Sequence, residues 1–186
     1  PQEGEIVKEQ ERLSVKEVII TPKGETVLDF GQNMTGYLEI TINAHKGDKV
    51  SFSFGEILDK DGNFYNANYR TAKSEIVYTA KPGKQTYKAK YTFFGFRYIK
   101  LIDWPEEVKA ENFSAIVMHS EMKRTGYFTS GHEKLNQLYS NIIWGQRDNF
   151  LDVPTEITKE RRDKNRADKE IYDGDDKQAR IRRNYL

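Results

Sequence analysis

The sequence predicts a mainly β chain: an antiparallel β-sandwich, then one amphipathic helix, then a charged tail. Three observations predict it. Up to about Gly126 the apolar side chains recur with period 2 in short runs, which puts one face of each run into a core. Turn-forming residues separate the runs, and no helical repeat intervenes, which disfavours a parallel α/β sheet. From Ser130 the period changes to that of a helix. The expected division is 1–126 for the sandwich and 127–186 for the start of a helical domain with a charged tail.

Val18-Ile19-Ile20 is the first short apolar run, before the turn Pro22-Lys23-Gly24. Thr26–Phe30 and Tyr37–Ile42 follow as strands, with a turn predicted at the two glycines Gly31 and Gly36 between them. Val50–Phe54 alternates again. Loops are expected at His45–Asp48, Asp59–Asn63 and Lys81–Lys84. Ile76 and Tyr78 belong to a later strand, Phe96, Tyr98 and Leu101 to another, and Ile116 and Val117 to the last. Ser130 and Glu133 fit a capping box, in which Ser130 accepts the Glu133 backbone N–H. Leu135, Leu138, Tyr139, Ile142 and Ile143 then make an apolar stripe, with Phe150 beyond and Pro154 as terminator. Residues 155–186 hold ten Lys/Arg and eight Asp/Glu without a period, which predicts weak order or a helix that needs a partner.

Composition narrows the function. The 186 residues carry 30 Lys/Arg against 29 Asp/Glu, so no global field attracts nucleic acid or anionic lipid. No apolar run approaches the ~20 residues of a membrane span. Cysteine is absent, which removes thiolate metal sites, disulfides and cysteine nucleophiles. Residue 1 is Pro rather than Met, so the chain is expected to be processed or excised from something longer.

Each candidate motif has an ordinary explanation. Gly31–Gly36 has the spacing of a phosphate loop, but Tyr37-Leu38 replaces the Lys-Ser/Thr that would meet phosphate and magnesium. Asp59, Asp61 and Asn63 alternate like a calcium loop, but the glycine comes too early and Arg70 stands at the twelfth position, so a hairpin loop is expected. His45, His119 and His132 show no i, i+4 pair. No cofactor and no metal is expected. Tyr91–Tyr98 holds five aromatics in eight residues, with Tyr65, Tyr69 and Trp104 nearby. Flat rings stack on the C–H faces of pyranoses, so Tyr65, Tyr69 and Trp104 are candidate sugar contacts. Core packing is the ordinary use of most of these rings.

An ordered set of stretches resembles one family, the bacterial α-L-rhamnosidases. It runs from Leu28–Tyr37 through Glu56–Asp59, Gly62–Tyr65, Asn68–Ala72, Thr92–Tyr98 and Val117–Ser120. It continues with Arg124–Phe128, Leu135–Tyr139 and Asn149–Thr155. The resemblance covers about residues 25–155. It implies a jelly-roll or concanavalin-like sandwich followed by the first helix of a catalytic α/α barrel. It also implies inverting hydrolysis of terminal α-L-rhamnosides, with one glutamic acid protonating the leaving oxygen and a later glutamate activating water. After Pro154-Thr155 the pattern departs from the family, which continues Asp-Cys-Pro. Glu156 falls where the family's sugar-binding carboxylate stands, and Glu160 is nearest to the general acid. The resemblance implies partners through a parent enzyme: a rhamnose-containing oligosaccharide or glycoside and the missing catalytic barrel. The chain itself is expected to be the accessory sandwich without turnover. The alternatives are a stand-alone carbohydrate-binding module and an interaction domain acting through the Leu135–Phe150 stripe.

Overall fold

A computed structural model describes residues 5–154. Twelve strands and one α-helix follow in chain order. The strands are β1 (Val7–Ser14), β2 (Glu17–Ile20), β3 (Thr26–Ala44), β4 (Lys49–Gly55), β5 (Ile57–Leu58), β6 (Phe64–Tyr65), β7 (Glu75–Thr79), β8 (Gly83–Lys88), β9 (Phe94–Asp103) and β10 (Phe113–Ser120). Helix α1 (Glu133–Asn149) and the short strands β11 (Phe150–Leu151) and β12 (Val153–Pro154) complete them. Glu9–Met118 forms one compact unit, and the other described residues fall in a second.

In the first unit an eight-stranded sheet runs β1-β10-β3-β9-β4-β7, with β2 and β8 also paired to β3. β3 explains this branching. Its first part, Thr26–Asp29, lies between β2 and β9. Its last part pairs with β10 over Gly36–Ile40 and with β8 over Glu39–Ala44. One 19-residue strand therefore belongs to both layers, and the sheet curls over itself as the predicted sandwich. Tyr78 of β7 stacks on Tyr87 of β8 at 4.1 Å and donates its hydroxyl hydrogen to Gln85 Oε1, which joins the free edges of the two layers.

The expectation of a turn at Gly31–Gly36 is corrected here. The chain does not reverse but continues through a bulge. Between Asp29/Tyr98 and Met34/Phe96, β3 advances five residues while β9 advances two. Gly31 supplies a left-handed backbone at φ 76°. The Asp29 carboxylate accepts the Gly31 N–H at 2.6 Å and the Arg97 Nε and Nη2 hydrogens at 2.8 Å each. Arg97 stands opposite the bulge, so this bidentate fork spans the gap where ladder bonds are missing. Burial pushes the Asp29 carboxyl up, but the Arg97 fork and the Gly31 N–H outweigh it and hold the group below its usual range.

Leu28, Met34, Leu38, Ile40, Phe52, Phe54, Phe96, Ile99, Phe113 and Ile116 fill the space between the layers, all fully buried. Each such side chain contributes about 1.5–3 kcal/mol relative to exposure. β4 departs from simple alternation, because Ser51 and Ser53 are buried with its phenylalanines. Both are satisfied: Ser51 by the Asp103 carboxylate, and Ser53 by the Ser74 carbonyl and Asn66. The Asp59–Asn63 segment is the loop of the β5–β6 hairpin, as expected, with Asp59 Oδ1 accepting the Asp61 and Asn63 N–H groups.

In the second unit α1 begins two residues later than a Ser130 cap would place it, and His132 is the N-cap. Ser130 Oγ accepts the His132 N–H, not that of Glu133. Asn136 takes over the bracing, accepting from Ser130 N–H at 2.8 Å and donating to Ser130 O at 2.9 Å. The Ser130 hydroxyl in turn donates to Asn136 Oδ1 at 3.1 Å, so it is drawn to the helix side chain rather than to the Glu133 N–H. Leu135, Leu138 and Ile142 of the apolar stripe are 42–57% exposed. Tyr139 meets Phe128 and Arg124, and Arg124 also lies over Tyr127 at 4.2 Å. Pro154 follows α1 within the β11–β12 hairpin. Among the described residues no helix is long and apolar enough to cross a membrane.

A Cβ at Gly36 would fall on the Ile116 carbonyl oxygen where β3 changes layer. Gly36→Ala is therefore expected to lower stability by ~3 kcal/mol, read from urea unfolding. Gly145 of α1 faces open space, and Gly145→Ala is expected to strengthen the helix by up to about 1 kcal/mol in the same assay. Asp29→Asn should cost about 1–3 kcal/mol at neutral pH. Because the folded carboxyl is depressed, the fork contributes in full above the ordinary carboxylate range, and its contribution disappears as pH falls through the folded-state value. The gap between wild type and Asp29→Asn should thus close on acidification, and a gap that is constant with pH would contradict the assignment.

Candidate functional site

The predicted ring residues separate onto two ends of β9. Tyr65 is half-buried in β6, directly after the Asp59–Asn63 loop. Tyr69 ends a 3-10 turn (Ala67–Tyr69) and donates its hydroxyl hydrogen to the Gly95 carbonyl at 2.7 Å, at the start of β9. Burial, and then the charge of Glu56, push the Tyr69 phenol well above its ordinary value. Trp104 lies just past the other end of the strand. Nine residues from Gly95, at ~3.3 Å each, place it about 30 Å away. Tyr65 and Tyr69 therefore share an end of the sandwich that Trp104 does not. Glu156 and Glu160 lie outside the described residues.

At the β9 start, Glu56 Oε2 accepts an Asn68 Nδ2 hydrogen at 3.3 Å, and a Cβ at Gly95 would sit 3.3 Å from Glu56 Oε1. The loop over 66–73 and the loop over 89–93 are both fixed to this strand start, the first by the Tyr69 hydroxyl and the second by the chain itself. Their residues differ sharply in burial. Phe96 is fully buried, and Phe94 stacks on Phe54 at 4.1 Å. Tyr91 is 106% exposed and Phe93 49%. Most of the aromatic run serves the core, as expected, but its first two rings do not. Nothing in the run's composition distinguishes Tyr91 and Phe93 from Phe94 and Phe96. The distinction comes from where the strand begins.

At the Trp104 end, the indole lies on Phe113 at 4.6 Å and its Nε1–H points to the Glu107 carbonyl at 3.4 Å. Beside it is an open groove of about 440 Å³, lined by Thr41, Asn43, Lys84, Glu106, Lys109 and Asn112 among others. Its polar groups already serve one another. Asn112 donates to Glu106 at 3.0 Å, and Lys109 lies 3.7 Å from Glu107.

Carboxyl groups decide what chemistry the described residues can perform. Glu9 is held below its usual range by Lys88 and the Tyr37 hydroxyl, and Glu39 by Arg12. Asp59 is held down first by the Asn63 N–H, and Asp29 by the fork described above. A general acid near neutral pH needs the opposite shift. These four are structural anions, tied to cations or to backbone N–H groups.

The histidines have structural surroundings. His119 is buried, with Nδ1 at 2.8 Å from Ser120 O, and His45 is exposed beside Asp48. In the second unit Asp152 adopts φ 69° at the tip of the β11–β12 hairpin and donates its N–H to Ser120 Oγ at 2.9 Å.

Residues 19–119 match the family described as bacterial alpha-L-rhamnosidase concanavalin-like domain. Residues 123–164 match the bacterial alpha-L-rhamnosidase 6 hairpin glycosidase domain. An alpha-L-rhamnosidase of Formosa agariphila is 40% identical over 159 residues, which are 84% of this chain and 17% of that protein. The crystal structure of Streptomyces avermitilis alpha-L-rhamnosidase complexed with L-rhamnose gives a TM-score of 0.78 at 37% identity, over 82% of this chain and 15% of that one. The native alpha-L-rhamnosidase from Aspergillus terreus gives 0.77 at 33% identity, over 81% of this chain and 18% of that one. The chain thus spans less than one fifth of the length of these relatives.

The Tyr69 phenol yields a test of the β9 start. Its raised value means that the folded form keeps the proton where an unfolded chain loses it, so stability falls as pH rises above about 10. Tyr69→Phe should lose about 1 kcal/mol at neutral pH and show a shallower alkaline decline, measured by urea midpoints across the alkaline range.

Proposed function

The chain belongs to the bacterial α-L-rhamnosidase family, and from that premise we propose that its sandwich is a non-catalytic accessory module of a rhamnoside hydrolase. The observation that carries this reading is electrostatic. An inverting glycosidase needs a protonated carboxyl and a carboxylate about 6.5–9.5 Å apart across a walled, partly dry cleft. In the sandwich, Asp29, Glu9, Glu39 and Asp59 are instead bound to Arg97, Lys88, Arg12 and backbone N–H groups, which favour the anion. The match of residues 19–119 to a concanavalin-like domain supports the same division of labour.

The acid and base of the reaction belong with the glycosidase part of the family. There the match covers 123–164, which includes Glu156 and Glu160. We assign Glu160 to protonation of the leaving oxygen and Glu156 to sugar contact, within a protein that also supplies the opposing base. The substrate of that protein would be a terminal α-L-rhamnoside, in line with the names of the relatives. The apolar stripe of α1, with Leu135, Leu138 and Ile142 exposed, suits burial against further helices of such a domain.

The test is turnover of an aryl α-L-rhamnoside by the 186-residue chain. No release of the phenol above a heat-denatured control is expected. Turnover at rates typical of glycosidases would refute the accessory reading, and its loss in Glu160→Gln would then place the acid in this chain.

A further inference from the structure

We infer that β7 is a self-pairing edge, along which two copies of this chain join antiparallel about a two-fold axis at Val77. Among the described residues β7 ends the sheet, with β4 on one side and no strand on the other. Phe54 N–H donates to Ser74 O at 2.9 Å and Ala80 N–H to Asp48 O at 2.8 Å. The even-numbered residues of this stretch therefore turn their peptide groups toward β4. Alternation along an antiparallel strand then turns the N–H and C=O groups of Glu75, Val77 and Thr79 outward. No hydrogen bond among the described residues occupies those groups. The contact of Tyr78 with β8 uses side-chain atoms only. The other edge strands are guarded. β1 carries Lys8, Glu9, Glu11 and Arg12, β8 carries Lys84 and Lys88, and β2 turns only Val18 and Ile20 outward. β7 has no proline, no lysine and no bulge, and its register with β4 is unbroken. Ile76, Val77, Tyr78 and Thr79 all favour strands, and Val77 is 67% exposed.

A second copy of β7 is the occupant that this edge fits. All three outward residues find outward partners in one register: Val77 on Val77, Glu75 on Thr79 and Thr79 on Glu75. Each such pair exchanges two hydrogen bonds, and the arrangement is isologous, so it closes on two copies. Its charges are complementary. No like charges stand opposite each other along β7, and Glu75 lies one diagonal step from Lys81 of the second copy. Both side chains are exposed, and neither has an ionic partner in its own chain among the described residues. An unrelated extended peptide would satisfy the backbone, but nothing on the edge would fix its register. One strand pair is small beside the about 1,200–2,000 Å² of stable complexes, so the association is reversible and depends on protein concentration.

The test uses the full 186-residue chain, which has no cysteine, so one cysteine can be placed at a time. In this register the two Val77 Cα atoms lie about 5.5 Å apart, within the span of a disulfide. The two Thr79 Cα atoms lie about 14 Å apart, outside it. Air oxidation of Val77→Cys is expected to give a cross-linked dimer on non-reducing gels, and Thr79→Cys is expected to stay monomeric under the same conditions. Sedimentation of the wild type should show a monomer–dimer equilibrium that shifts with concentration. Val77→Lys sets two ammonium groups face to face at the axis and should weaken association at least about tenfold. Val77→Pro removes an outward N–H and no bond to β4, so it should lose the dimer while keeping the far-UV circular dichroism of the monomer. Glu75→Lys should weaken association about threefold, and adding Lys81→Glu should restore it. A monomer at every concentration, no cross-link in Val77→Cys, or equal cross-linking at both positions would each overturn the inference. A dimer lost in Leu138→Lys but kept in Val77→Lys would also overturn it, by assigning the association to α1.

Discussion

The fork between Asp29 and Arg97 holds the geometry on which the sandwich depends. β3 must leave one layer and enter the other without losing its place, and the bulge that lets it do so removes ladder bonds between Asp29 and Met34. The carboxylate restores part of what is lost, by binding Gly31 on its own strand and the guanidinium on the neighbour. A lysine in place of Arg97 would keep the charge but not the two parallel bonds that set the register. Beyond the fork, Gly36 permits the close approach of β3 to β10, and the phenylalanine core closes over both.

Much of this architecture was legible in the residues. Strands with one apolar face announced themselves by alternation, as in Tyr37–Ile42 and Ile116–Val117. Strands without such a face did not. β1 is exposed on both sides at the sheet edge, and β8 is polar apart from Tyr87, so neither carries a period that sequence reading can detect. The glycines at 31 and 36 suggested a reversal because turns and bulges require the same backbone freedom. Only the partner strand tells them apart, and Arg97 lies far away in sequence. The cap of α1 differs because the Ser130 hydroxyl is engaged by His132 and Asn136, two and six positions along the sequence, which a capping-box pattern does not weigh.

The placing of the candidate rings was not legible in the sequence. Aromatic abundance pointed to sugar chemistry, yet neighbouring rings in one run divide between core and solvent. Phe96 is inside because it packs on Phe30 and Phe54 of the two strands that flank β9. Tyr91 is outside because it precedes the strand that would have directed it inward. Tyr65 and Tyr69 come together through the Gly55–Gly95 region, while Trp104 is carried away by the length of β9. The ordered motifs that resembled a family conveyed more than any single ring, because their order encodes a whole domain rather than one contact.

A strand shared between two layers has a consequence for cooperativity. If either layer opened alone, β3 would lose the partners on one of its halves while remaining tethered through the other, and the fork would be pulled apart from both directions. Partial melting is thereby penalised, and the slowest amide exchange in the domain belongs on β3, at the rate of global unfolding. A module built this way is either wholly formed or wholly lost, and offers a neighbouring domain a stiff support rather than an adjustable one.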